Sequence, residues 1–351
     1  MEYPYNPQWP ERPKPDQNLP TYRRIGQGFC GSVWSAPEDP SRSTDPARAI
    51  AIKREDGGPG RSLVNDYNRH GDILEAVHEC PKDLRVFTRL LRRFPAGYTP
   101  RNALFTERIP PMPERVRNLL IDKFCPTTHD ASLPAKIRAD AQNRDCLVRQ
   151  YLGRTKHGRG RSREAFFSLR NFPLHLDQFS ELGLPSTAAR DYATAMAKTL
   201  AARADANDIK FVLAPPPLAP LKTDRWSRWN RPPDPAFTFS SDVLCDHCLW
   251  ILDFDCCRWM EWDATGVEQA ARAFLRNDLF YPRPGQEDAE QELWRHLRAA
   301  FLEASERVLA YDAERDIGEN GRRGLPEKPM DRIEELLAEK NSKDGQAVPE
   351  N

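Results

Sequence analysis

From Tyr22 onward the chain alternates apolar and polar positions in short runs. Arg24-Ile25-Gly26 and Ser32-Val33-Trp34 flank a glycine-rich turn, and Ala49-Ile50-Ala51-Ile52-Lys53 follows a polar stretch from Glu38 to Arg48. Alternation bounded by turn residues predicts β-strands at these places. Across 62–79 the period changes, and Leu63, Tyr67, Ile73, Leu74 and Val77 recur near the 3.6-residue spacing of a helix. Residues 84–109 read as strand-rich. Val116, Leu119, Leu120 and Phe124, behind a proline-rich start, predict a further helix over 112–124.

The second half mixes the two periods. Cys146-Leu147-Val148 and Phe211-Val212-Leu213 read as short strands, and Leu249 to Phe254 is the most apolar strand of the chain. An alanine-rich helix is predicted over 187–204, amphipathic helices over 265–276 and 290–310, and a short helix over 329–340. Strands dominate the first third and helices the rest, which predicts an α+β chain with unequal lobes.

Composition sharpens the boundaries. Residues 1–20 hold six prolines and almost no aliphatic side chains, so they are expected to form a flexible arm. Residues 214–240 read as an inserted loop bearing proline and tryptophan, and 311–351 as a polar, mostly flexible tail. The chain has 351 residues, of which 39% are apolar, enough for a sizeable core. Lys and Arg balance Asp and Glu at 52 each, which argues against a general nucleic-acid or anionic-membrane binder. No apolar run approaches the roughly 18 residues that span a bilayer, and Met1-Glu2-Tyr3-Pro4 does not open a secretion signal. A soluble intracellular protein, in cytoplasm or nucleus, is the expectation. Eight scattered cysteines fit reduced thiols better than a disulfide scaffold.

The chemistry concentrates at the glycine turn. Gly26-Gln27-Gly28-Phe29-Cys30-Gly31-Ser32-Val33 fits G-x-G-x-x-G-x-V, and Lys53 closes a strand 20 residues past Val33. Strand text continues after the last glycine where a dinucleotide fingerprint would open a helix, which favours a hairpin lid over phosphates. Glycines let backbone N–H groups approach an anion, and a buried ammonium supplies a point charge. The plainer reading of Lys53 is a strand-end lysine that snorkels to solvent. Asp66 and Glu75, 13 and 22 residues on, are the acidic candidates to pair with it, Asp66 being the better placed.

This text resembles the protein-kinase-like fold. Trp250-Ile251-Leu252-Asp253-Phe254-Asp255 is similar to its metal-binding strand end, with Asp255 in place of the usual glycine, as in small-molecule kinases of the aminoglycoside and choline type. The resemblance implies ATP over Gly26, Gly28, Gly31, Val33, Lys53 and Asp66, with magnesium on Asp253, since hard cations take carboxylate oxygen. The catalytic loop departs from the pattern. Arg203 to Lys210 lacks the His-Arg-Asp text and leaves Asp205 or Asp208 as a substitute base and Asn207 or Asp208 as a metal ligand.

A closer resemblance, over about residues 20–310, is to a fungal family of unknown function often labelled zinc finger protein. It is carried by Gly26 to Trp34, Ala51 to Leu63, Thr106 to Pro111, Phe172 to Asp177, Asp205 to Leu213 and Ile251 to Arg258. The zinc label itself finds thin text: Cys245-Asp246-His247-Cys248 is followed by the adjacent Cys256-Cys257, which cannot easily both turn inward on one strand. Free thiols are expected there and zinc is not. The basic run Arg154 to Arg163 reads as a solvated loop, and Trp226-Ser227-Arg228-Trp229 as a loop packing on its own domain, so nucleic acid is not an expected partner.

The sequence therefore predicts a two-lobed, protein-kinase-like α+β fold, with an antiparallel-sheet lobe over 21–110 and a larger helical lobe over 111–310. Its expected role is a pseudokinase or interaction module that retains a nucleotide, with a protein partner of unknown identity. The alternative is an active phosphotransferase using ATP and magnesium. A zinc-binding protein is the weaker alternative.

Overall fold

The computed structural model describes residues 22–28, 31–36, 50–56, 63–79, 103–127, 130–155, 167–201, 205, 207–216, 238–261, 263–277, 280–285, 287–314 and 325–346. The proline-rich arm, residues 84–102, most of the basic run and 217–237 lie outside them. No helix among the described residues is long and apolar enough to cross a membrane.

Strands β1 (Arg23–Gln27), β2 (Ser32–Ser35), β3 (Ile50–Arg54) and β4 (Ala103–Glu107) form an antiparallel sheet in chain order. Alternation along β3 puts Ala51 and Lys53 on one face, and that face lines a cavity. Helix α1 (Leu63–Glu79) follows. Its buried positions include Leu63, Asp66, His70 and Ile73, a stripe at spacings of three and four. Tyr67, one of the apolar positions that predicted the helix, is only half-buried. The inward face of α1 thus carries a carboxylate and an imidazole where an ordinary core helix would carry aliphatic side chains.

The remainder is α2 (Glu114–Phe124), α3 (Leu133–Ala139), a 3-10 turn (Ala141–Asp145), β5 (Val148–Tyr151), β6 (Phe172–His175), α4 (Gln178–Leu182), α5 (Ala188–Leu200), β7 (Lys210–Ala214), β8 (Thr238–Ser241), β9 (Cys245–Leu252), α6 (Ala264–Arg276), α7 (Asp288–Glu314) and α8 (Glu327–Gln346). The helical lobe expected over 111–310 therefore also contains a five-stranded sheet, in the order β6-β5-β7-β9-β8. Only the β5–β6 pair is parallel. The fold class is α+β, with two sheets and eight α-helices among the described residues.

The two faces of this second sheet differ. Phe211 and Leu213 of β7 and Leu249 and Ile251 of β9 belong to the main core, beside Val116 and Leu120 of α2 and Trp294 and Leu297 of α7. On the opposite face Val212, Ala214, Cys248 and Trp250 make a smaller apolar cluster, flanked by Ile109, Leu147 and Leu252. Helix α5 packs on α7 through buried alanines, whose small side chains let the backbones approach. Asp263 caps α6 by accepting the Gly266 N–H at 2.9 Å. Helix α8 is longer than the sequence suggested: it buries Met330 and Ile333, and Glu334 accepts the Trp294 indole N–H at 2.8 Å. That stretch of the expected polar tail is part of the packed body.

Candidate functional site

The small-cluster face of the second sheet and the Lys53 face of the first enclose a cavity of about 480 Å³. Gly26, Gly28, Gly31 and Val33 line it. The Gly28 N–H donates to the Gly31 carbonyl at 2.8 Å, closing the turn between β1 and β2, while Phe29 and Cys30 lie outside the described residues. Gly31 has φ +153°, and a Cβ there would sit 1.8 Å from the Arg54 carbonyl oxygen, so only glycine fits. Gly28 has open space where a Cβ would go. Asp56 fixes the base of the turn by accepting the Ser32 N–H at 2.7 Å and the Ser32 hydroxyl at 2.6 Å.

Lys53 Nζ lies 2.7 Å from Asp66 Oδ2 and 2.7 Å from Asp253 Oδ1. One ammonium thereby joins β3, α1 and the end of β9. Burial opposes the Lys53 charge, but Asp253 and Asp66 outweigh it and hold its pKa above the ordinary lysine value. Burial likewise works against the Asp253 charge, yet Lys53, Lys210 and Arg149 keep its carboxyl below the usual range. Asp66 also accepts the Phe254 N–H at 3.2 Å, and Asn65 Nδ2 donates to the Asp255 carbonyl at 2.6 Å. Helix α1 thus grips the chain just beyond β9. His70, one turn further along α1, packs 4.7 Å from the Phe254 ring. Burial and Lys53 lower its pKa to about 3, so it is neutral.

The other predicted residues separate. Asp208 lines the cavity, paired with Lys210, whereas Asp205 and Asn207 do not line it. Asp205 is buried and accepts the Arg258 N–H at 2.9 Å, the Asn207 N–H at 3.2 Å and Gln269 Nε2 at 3.0 Å. Those bonds hold the 254–258 turn against α6 and aim its carboxylate away from the cavity. Asn207 Nδ2 donates to the Cys256 carbonyl at 3.0 Å, serving the same turn. Asp208, Asp255 and Cys256 place one ligand atom each within 4.8 Å of one another. A soft thiol does not suit magnesium, and Lys210 already occupies Asp208, so this trio is a poor match for a hard cation.

The far end of the cavity carries no signature in the sequence. Asp145 receives Arg23 of β1 through Nη1 and Nη2 and Arg108 at 3.0 Å, tying the first sheet to the 3-10 turn. Strain also gathers at the cavity. Of the four described non-glycine residues with positive φ, Asn171 (+51°), Asp208 (+63°) and Asp253 (+68°) all line it. A left-handed backbone costs an L-residue about 1–2 kcal/mol, least for Asn and Asp, and such outliers cluster at functional sites.

A family model described as zinc finger protein matches residues 249–313. No curated protein and no solved structure matches the chain. The resemblance to a fungal protein-kinase-like family over residues 20–310 is corrected by this result: the model that matches is described as a zinc finger protein and covers a small part of the chain. Zinc itself fits poorly. The matched span holds Cys256, Cys257 and His296 as its only cysteines and histidine, short of the four ligands of a structural site. His296 is bonded to the Thr194 hydroxyl at 2.9 Å, and burial raises the Cys257 thiol. Cys245 and Cys248 precede the span. His247 between them is buried, with Nδ1 on the Cys245 carbonyl at 2.7 Å and Nε2 on the Tyr192 hydroxyl at 2.7 Å. Both imidazole nitrogens are therefore used, and among the described residues no metal-capable trio includes Cys245, His247 or Cys248.

Proposed function

We propose that the cavity is a nucleotide site in a kinase-like, two-lobed arrangement, and that the chain acts as a nucleotide-retaining pseudokinase or interaction module. The observation that carries this reading is Lys53 Nζ held at 2.7 Å from both Asp66 and Asp253 beneath a glycine turn. A buried ammonium with two acidic neighbours can exchange the Asp253 contact for phosphate oxygens while Asp66 keeps it oriented. Ile109, Leu147, Trp250 and Leu252 give the same cavity an apolar side for a flat base. The glycine turn adds no side-chain bulk at Gly28, where a Cβ would meet nothing within 4 Å.

Magnesium, when bound with the phosphates, would neutralise their charge, and Asp253 offers the hard oxygen donor for it. Neither of the two candidate bases is free to serve transfer. Asp205 is spent on backbone N–H groups, and Asp208 is held by Lys210. Only the position of Asp208 in the cavity favours the second reading, an active phosphotransferase, in which a substrate hydroxyl would displace Lys210 from that carboxylate.

Thermal unfolding with ATP, with and without magnesium, tests the nucleotide reading. A ligand at 100 times its dissociation constant adds about 2.7 kcal/mol to the native state. The midpoint should rise in wild type, stay put in Lys53→Ala, and rise less in Gly28→Ala, whose added methyl meets no protein atom within 4 Å. Failure of wild type to respond to millimolar ATP would rule the reading out.

A further inference from the structure

The floor of the cavity is one face of the second sheet, and it changes character along its length. Val212 and Trp250 are paired across β7 and β9 and, with Leu147 just before β5, form the apolar cluster; Lys210 pairs with Leu252 at the other end. Arg149 lies two residues beyond Leu147 and so shares its face. Lys53, Lys210 and Arg149 all act electrostatically on Asp253. Lys53 also has Asp66, and Lys210 has Asp208. Arg149 has no such companion: its Nε is buried without a hydrogen-bond partner, and it makes no ion pair among the described residues. Arg170, which also lines the cavity, donates Nη1 to Gln142 at 3.0 Å and makes no other side-chain hydrogen bond among the described residues.

A buried donor with no acceptor is disfavoured, and a cation in a cavity wall more so. The guanidinium fork matches two oxygens of one oxyanion, a geometry lysine cannot supply. We propose that Arg149 is the recognition group for a phosphate-type oxyanion bound on the cavity floor, with Arg170 as a second donor. The phosphate has two sources in chemistry: the terminal group of a nucleotide, or a separate phosphorylated small molecule lying beside it. In the first case the inference deepens the nucleotide reading and rests on it; in the second it stands without it.

Calorimetric titration of the full chain with inorganic phosphate, pyrophosphate and ATP separates these. Wild type should bind pyrophosphate, and Arg149→Gln should weaken that binding about tenfold or more, the loss of one charge-assisted bidentate contact. If ATP competes with pyrophosphate and loses affinity in Arg149→Gln, the oxyanion is the nucleotide's own. If pyrophosphate binds alongside ATP and Arg149→Gln weakens pyrophosphate alone, a second phosphorylated ligand uses the floor. Pyrophosphate binding that depends on Arg149, in a protein that does not bind ATP, would sink the nucleotide reading and leave this one standing. The proposal is overturned if neither inorganic anion binds at millimolar concentration, or if both bind equally to wild type and Arg149→Gln. Should Arg149→Gln fail to fold, Arg149→Lys decides: it keeps the charge and loses the fork, so unchanged pyrophosphate affinity overturns the assignment and a clear weakening supports it.

Discussion

Two buried carboxylates, Asp66 and Asp205, sit on either side of the 253–258 segment and treat it in opposite ways. Asp66 accepts one backbone N–H, from Phe254, and spends its other oxygen on the Lys53 ammonium. Asp205 accepts two backbone N–H groups and the Gln269 amide, with no cation among those partners. A side-chain cation can be drawn away by an incoming anion, whereas backbone donors are fixed by the fold. The contrast separates a carboxylate that can serve a ligand from one that serves the chain, although the sequence offers both as site residues.

The largest effect should come from removing the cation on the ligand side. Lys53→Met leaves Asp66 buried beside Asp253 with no ammonium, at a cost of about 3–5 kcal/mol by urea denaturation. The double variant Lys53→Met/Asp66→Leu should recover most of that loss, because an apolar pair of similar volume needs no solvation. It should remain unable to bind nucleotide. A double variant as unstable as the single one would show that Asp66 matters through Phe254 rather than through Lys53.

On the chain side, Asp205→Ala should cost about 2–3 kcal/mol, since it strands the Arg258 and Asn207 N–H groups. The loss should be the same with and without ATP. A ligand-dependent loss would mean that Asp205 reaches the cavity in solution, and would restore it as a catalytic candidate.

How much of this was legible in the sequence follows from how local each contact is. The glycine turn and β3 lie within one short stretch, and Asp66 is only 13 residues past Lys53, so their association could be read from spacing. The fate of Asp205 depends on partners 53 and 64 residues away, and the Asp145 clamp on arginines 122 and 37 residues away. No periodicity encodes such distances. Strands β6 and β8 escaped for a different reason: both are edges of the second sheet. Pro173 interrupts the strand text of β6, a residue that an edge tolerates, and Thr238–Ser241 is too polar to stand out. The stripe of α1 was half legible, because an apolar period locates the helix while Asp66 and His70 on its buried face announce themselves only once burial is known.

His70 sharpens the comparison through pH. Its folded pKa is about 3, against 6.5 when free. Between those values the unfolded chain binds a proton that the folded chain refuses, so stability is full above pH 6.5 and falls as the pH drops. At pH 5 the loss from this group is about 2 kcal/mol. His70→Phe, beside Phe254, should remove that part of the slope between pH 7 and 5. The buried His247, whose pKa is also lowered, chiefly by burial, should preserve the remainder. An unchanged slope in His70→Phe would place the acid sensitivity elsewhere.

Gln150 supplies the third case, a buried polar group held neither by a side chain nor by the backbone. Its side chain is fully buried on β5, and neither its amide nitrogen nor its oxygen has a hydrogen-bond partner among the described residues. Val148, two residues earlier and on the same face, belongs to the main core, so Gln150 points away from Arg149 and from the cavity. Replacing an unsatisfied polar group with an apolar one of similar shape removes a desolvation penalty and little else. Gln150→Met should therefore stabilise the chain by about 1 kcal/mol and leave ATP and pyrophosphate binding unchanged. A loss of stability instead would reveal a buried water or a partner at that amide, and a loss of ligand binding would mean that the two faces of β5 are coupled.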